Sequence, residues 1–141
     1  METQTKDATS AHAEIERLAK ANAKPEIRRI KVAAVGRVVR QGDIYIHAVE
    51  PSHSRGKKLK ENQLALGDTQ GSRHVAQAPA HCFDGAALPT WCDRRTFLGP
   101  LVESEDRFVI THPEHAHVSL PAGYYQITHQ TDARTMDRVR D

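Results

Sequence analysis

Two histidine-bearing stretches hold the residues best suited to chemistry. The first is Gly67-Asp68-Thr69-Gln70-Gly71-Ser72-Arg73-His74. Its two glycines permit a tight turn with exposed backbone amides. Those amides, with Thr69, Ser72 and Arg73, form a cradle for a small anion, and His74 follows as a ligand or base; the candidate ligand-binding set is Gly67, Asp68, Gly71, Ser72, Arg73 and His74. The stretch is not a P-loop, because it lacks the Gly-Lys-Ser/Thr ending. The structural alternative is a hydrogen-bonded turn organised by the Asp68 side chain.

The second stretch is His112-Pro113-Glu114-His115-Ala116-His117. If residues 115–120 are extended, His115 and His117 share one face and Ala116, Val118 and Leu120 the other. An i, i+2 histidine pair on a strand is suited to a divalent transition metal, with imidazole nitrogens at about 2.0–2.1 Å. His74 and His112 are the natural further ligands, and Cys82 or Cys92 weaker ones. Glu114 is then the general base of a metal-assisted hydrolase. Pro113 disfavours the helical conformation at His112, so this is not a helical zinc motif. The structural alternative is a polar strand face.

Two further groups bear on function. Arg55, Lys57, Lys58 and Lys60 make a basic loop able to touch phosphates, but no aromatic residue is interleaved for base stacking. Cys82 and Cys92 form no CxxC pair and read as thiols. A catalytic cysteine needs a nearby base, for which His74 or His81 is available. Burial as small hydrophobes is the plainer reading, with Trp91 anchoring the segment around them.

These residues need a scaffold. At 141 residues the chain suits one domain with a modest core. Hydrophobic residues are 38% of the total and charged residues 27%, so part of the chain is expected to lie outside the core. The formal net charge of +2 provides no strong pull toward nucleic acid, although nine histidines make the protein more basic below about pH 6.5. No apolar run is long enough to cross a membrane as a helix. The residues after Met1 lack the pattern of a signal peptide, which points to the cytoplasm.

We divide the chain into a flexible N-terminal segment (1–26), a β domain (27–131) with an irregular insertion at about 76–100, and a polar tail (132–141). Ser10 to Lys24 reads as a marginal helix capped by Ser10, with only Ile15 and Leu18 as large apolar anchors. Alternation over Ile30, Val32 and Ala34 predicts a strand, as do Val38-Val39, Ile44–Val49, Leu64–Leu66, Phe108–Ile110, Val118–Leu120 and Tyr124–Gln130. Residues 52–63 read as a basic loop. Five or six short strands between Gly/Pro turns predict a mostly β fold, a small antiparallel barrel or sandwich.

The order of motifs resembles a family of small uncharacterised phage, prophage and bacterial proteins. The resemblance rests on Arg40-Gln41-Gly42-Asp43, on Gly67–His74, on His112-Pro113-Glu114-His115, and on Leu120-Pro121-Ala122-Gly123-Tyr124-Tyr125-Gln126-Ile127 with Gln130. The second motif in the relatives reads G-[DE]-x-T-G-x-x-H, and here Gln70 stands where threonine is usual. Residues 77–96 look like an insertion. The resemblance implies a shared fold and a mobile-element setting, in host cytoplasm or virion, and brings no activity with it.

Three functions follow as expectations. The first is a binding module that holds a small anion, a metal or a protein partner at the histidine site. The second is a phage structural or adaptor protein, with homo-oligomers and a docking N-terminal segment. The third is the metal-assisted hydrolase using His74, His112 and His115, with His117 as a further ligand.

Overall fold

The two-residue period of Ile44–Val49 sends Ile44, Ile46 and Ala48 into the core cluster, and His47 and Val49 on the other face are buried as well. The computed structural model describes residues 26–65 and 73–129. Among them are ten strands: β1 (Ile27–Arg29), β2 (Val38–Gln41), β3 (Ile44–Val49), β4 (Arg55–Lys58), β5 (Val75–Ala76), β6 (His81–Gly85), β7 (Phe97–Ser104), β8 (Phe108–Thr111), β9 (His117–Leu120) and β10 (Gly123–His129). No helix occurs among the described residues.

The strands form two sheets. One has the order β1-β9-β8-β5, the other β2-β3-β10-β7-β6-β4. All pairings are antiparallel except the β1–β9 edge pair. Neither sheet closes on itself, so the barrel alternative is not observed. A single core cluster draws on both sheets: Val39, Ile46, Val102, Tyr125 and Ile127 from the larger one, Phe108, Ile110, Val118 and Leu120 from the smaller.

β10 is the central strand, with β3 on one side and β7 on the other. Its register against β7 slips, with Gln126 opposite Leu101 and Thr128 opposite Leu98. Two β7 residues, Gly99 and Pro100, there stand opposite the single residue Ile127. Proline has no amide hydrogen for the ladder and is accommodated at such a bulge. Gln126 closes the gap, its Nε2 donating to the Gly99 carbonyl at 2.8 Å and the Pro100 carbonyl at 3.2 Å. Tyr125 packs on Phe108 with ring centroids 5.6 Å apart, and its hydroxyl donates to the Pro121 carbonyl at 2.7 Å. That bond closes the Pro121–Gly123 turn, and burial pushes the phenol up to about 12.

Several expectations need correction. The strand expected over Ile30, Val32 and Ala34 lies three residues earlier, as β1. Pairing with β9 ends where Ile30 enters the core, and Val32 is left 71% exposed. The basic loop of residues 52–63 contains β4, whose four residues are all exposed. An edge strand without a buried face shows no apolar alternation, so its sequence carries no strand signal. The insertion at 76–100 contributes the end of β5, all of β6 and the start of β7; residues 77–80 and 86–96 run without strand. Leu64 lies beside an isolated bridge, Gln63 to Val75, rather than in a strand. The N-terminal helix and the polar tail lie outside the described residues.

Gly85 makes the tightest backbone approach of the fold. A Cβ there would lie 2.1 Å from the Gly99 carbonyl oxygen. Gly85→Ala is therefore expected to cost about 3 kcal/mol or more through overpacking against main chain. Gly36→Ala, which meets nothing within 4 Å and strains only a turn at φ 98°, should cost about 1 kcal/mol. Urea denaturation of the two variants tests the order, and equal midpoints would contradict the described packing.

Candidate functional site

The β2–β3 hairpin begins the site. Its connection is the two-residue turn Gly42-Asp43, with Gly42 at the positive φ such turns demand. Alternation along β2 puts Val39 and Gln41 on the buried face, so a polar side chain occupies a core position. A buried amide must find partners. Gln41 Nε2 donates to the carbonyls of Ile110 at 3.0 Å and Ala116 at 2.9 Å. This use of the amide nitrogen leaves Oε1 as an acceptor, 2.8 Å from His74 Nδ1.

The other nitrogen of His74, Nε2, lies 2.9 Å from Asp43 Oδ1. An amide oxygen on one side and a carboxylate on the other call for a proton on each ring nitrogen. The geometry is that of an imidazolium–carboxylate pair. It is sealed from water, with side-chain exposures of 0% for His74 and 2% for Asp43.

His112 follows β8 and is also buried. Its Nδ1 accepts the backbone N–H groups of Glu114 at 2.9 Å and His115 at 3.2 Å. A nitrogen that accepts cannot carry a proton, so this ring is neutral with its hydrogen on Nε2. The three imidazoles form one cluster, with the His112 ring tilted 45° to His74 and 41° to His115. Ring centroids are 4.4 Å apart for His74 and His112, 4.5 Å for His112 and His115, and 6.5 Å for His74 and His115. His74 and His115 lie nearly parallel, 10° apart, and both rings touch His112. His115, half-buried, is the member nearest solvent.

The distant stretches therefore meet, with His74, His112 and His115 together. His117 opens β9 opposite Ile27, and no ring contact joins it to the cluster. The extended His115–His117 segment assumed for chelation is absent, because His115 lies in the turn before β9. Glu114 and Arg73 are exposed. Gly67, Asp68, Gly71 and Ser72 lie outside the described residues. Among the described residues no group of three or more His, Cys, Asp or Glu side chains is arranged to hold a metal. The hydrogen bonds give the reason: both His74 nitrogens face Gln41 and Asp43, and His112 Nδ1 is committed to its turn.

Residues 40–130 match a family model described as Domain of unknown function (DUF8820). The chain belongs to this family. No curated protein and no solved structure matches it. The matched span begins at the Gln41 hairpin and ends after β10, so it holds every member of the buried network. Gln41 and Asp43 were not assigned a site role from sequence, although the signal was present. A glutamine two residues after Val39 occupies the core register of an apolar strand.

Another buried histidine of the DUF8820 domain behaves differently. His47 Nδ1 accepts the Trp91 indole N–H at 3.0 Å, so Nε2 carries the hydrogen and donates to Thr128 Oγ1 at 2.8 Å. Burial holds this imidazole below its ordinary 6.5. The imidazole beside Cys92 is thus His47, 3.8 Å away, rather than His74 or His81, and it has no lone pair left for a thiol proton. Burial raises both thiols, Cys82 to about 12. Neither is an activated nucleophile.

Two outcomes follow. Removing His74 by substitution with alanine leaves a buried carboxylate and should cost about 3–5 kcal/mol. Asp43→Ala should cost a similar amount, and the double variant well under the sum; additive losses in urea denaturation would show that the two groups do not interact. For His47 the pKa is lowered in the fold, so the unfolded chain binds the proton first. Its contribution to stability is intact above 6.5 and declines as pH falls below 6.5 toward the lowered value. Fluorescence of Trp91 should titrate with a midpoint below 6.5 as its acceptor protonates. A midpoint above 6.5 would contradict the neutral ring.

Proposed function

We propose that the protein is a ligand-binding module whose working group is His115, carried on the His112–His115 turn and backed by the Gln41–Asp43–His74 frame. The observation that supports this is the division of labour in the imidazole cluster. His74 spends both nitrogens inside the protein and His112 spends Nδ1 on its own turn, while His115 stands at the solvent side of the same cluster. A buried frame that fixes a half-exposed ring favours recognition over catalysis. An acid–base relay needs a nitrogen free to exchange a proton with substrate, and His74 has none to offer.

The ligand class is a small anion. Arg73, exposed, directly precedes His74 in the chain, and Asp43 is already neutralised by its partner. The core common to both sheets supports reading them as the layers of a sandwich, with this site where the β2–β3 hairpin meets the end of β8.

The adaptor reading has one observation of its own. Ile27, Val32, Val35 and Val38 are large apolar side chains left exposed near the start of the described chain. Such a group is what a protein partner or a second copy covers. Light scattering after size exclusion tests it, and a strict monomer at high concentration argues against self-assembly.

The anion reading is tested by thermal shift at pH 6 against phosphate, sulfate, nucleotides and carboxylates, with zinc as control. One anion class should raise Tm with a saturating dose dependence. His115→Gln should remove that shift while leaving the unliganded Tm within a few degrees. A shift from zinc alone would favour the metal reading, and a flat panel would leave the cluster a purely structural feature.

A further inference from the structure

Trp91 is the chain's single tryptophan, and it remains 46% exposed. Yet it is held by a buried polar network. His47 and Thr128, both buried, lock the indole N–H in place through the His47 ring. Taking a polar ring out of water is unfavourable unless its hydrogen bonds are made. Here those bonds fix an aromatic side chain that remains at the surface. Its N–H is spent, so what it offers outward is a ring face.

That face borders a groove of about 280 Å³ whose walls include Val35, Glu50, His53, Leu88 and Pro89. The walls are tied to each other. The His53 backbone N–H donates to the Glu50 carbonyl at 2.9 Å, and His53 Nε2 donates to the Ala87 carbonyl at 2.8 Å. The Cys92 N–H donates to the Pro89 carbonyl at 3.0 Å, closing the turn that carries Trp91. The groove is thus preformed, which spares a ligand the cost of ordering it. Among the described residues that line it, Glu50 alone carries formal charge at neutral pH. Glu50 is exposed and makes no ion pair among the described residues.

We propose that this groove binds an organic cation, an alkylammonium or guanidinium group, with its charge toward the Glu50 carboxylate and its flat or apolar portion on the Trp91 face. A cation is drawn to the electron-rich face of an indole, and a nearby carboxylate adds to the attraction. The volume suits one small amine or one long basic side chain rather than a larger ligand. The site is separate from the His115 turn and does not depend on the function proposed there.

The single tryptophan makes the test direct. The full chain is titrated with agmatine, with Nα-acetyl-arginine amide, and with a short arginine-containing peptide, following Trp91 emission. A saturable change is expected, weakened about tenfold by Glu50→Gln and partly restored by Glu50→Asp. The neutral citrulline analogue should give no saturable change. Calorimetry on Trp91→Phe and Trp91→Ala checks the aromatic face without relying on its emission, and binding should persist in the first and be lost in the second. Tighter binding of the peptide than of agmatine identifies a partner's side chain as the source of the cation, and the reverse a free amine. His115→Gln should leave all of these values unchanged. Absence of saturation with every cation, equal binding by Glu50→Gln, or equal binding of the citrulline analogue would overturn the proposal.

Discussion

The Gln41 side chain joins the two sheets with hydrogen bonds, and the rest of the site depends on that bridge. It leaves β2 of the six-stranded sheet and donates to the carbonyl of Ile110 in β8 of the four-stranded one. Its oxygen is then oriented toward His74, and His74 toward Asp43. Apolar contact alone is non-directional and tolerates sliding between layers. A fully buried polar network does not, since each member displaced from its partner bears the full desolvation penalty. The imidazole cluster inherits its order from this arrangement.

Two buried histidines show how partners decide charge. His74 faces two acceptors and is matched by a carboxylate. His47 faces one donor and one hydroxyl, and no charged side chain hydrogen-bonds to it. Burial therefore acts on His47 with nothing to oppose it and keeps the ring neutral. Composition counts these residues alike, and only their neighbours separate them.

Much of the larger sheet was legible from sequence. β3 and β10 carry apolar residues at every second position toward the core, and their limits fall within a residue of the expected ones. β4 was not legible, because it has no buried face. β6 and the first half of β7 were hidden by Pro100, Gly85 and Gly99, which ordinarily mark loops and here mark a bulge and a close backbone contact. The meeting of His74 with His112 and His115 was put forward as a condition and is met. Which of their nitrogens are committed was not legible, because residue type says what a nitrogen can do and only geometry says which nitrogens are taken. Gln126 belonged to a recognised motif, yet its task of spanning the β7 bulge required the register to be known.

The edge strand β4 has a consequence for association. Arg55, Lys57 and Lys58 line it, and Arg55 additionally covers the Phe83 ring with its guanidinium 4.4 Å from the centroid and pairs with Glu103. An incoming strand from another molecule would have to bring its own main chain against this row of like charges, and two copies meeting through it would repel. Growth of the six-stranded sheet into open-ended aggregates is thereby discouraged along this border.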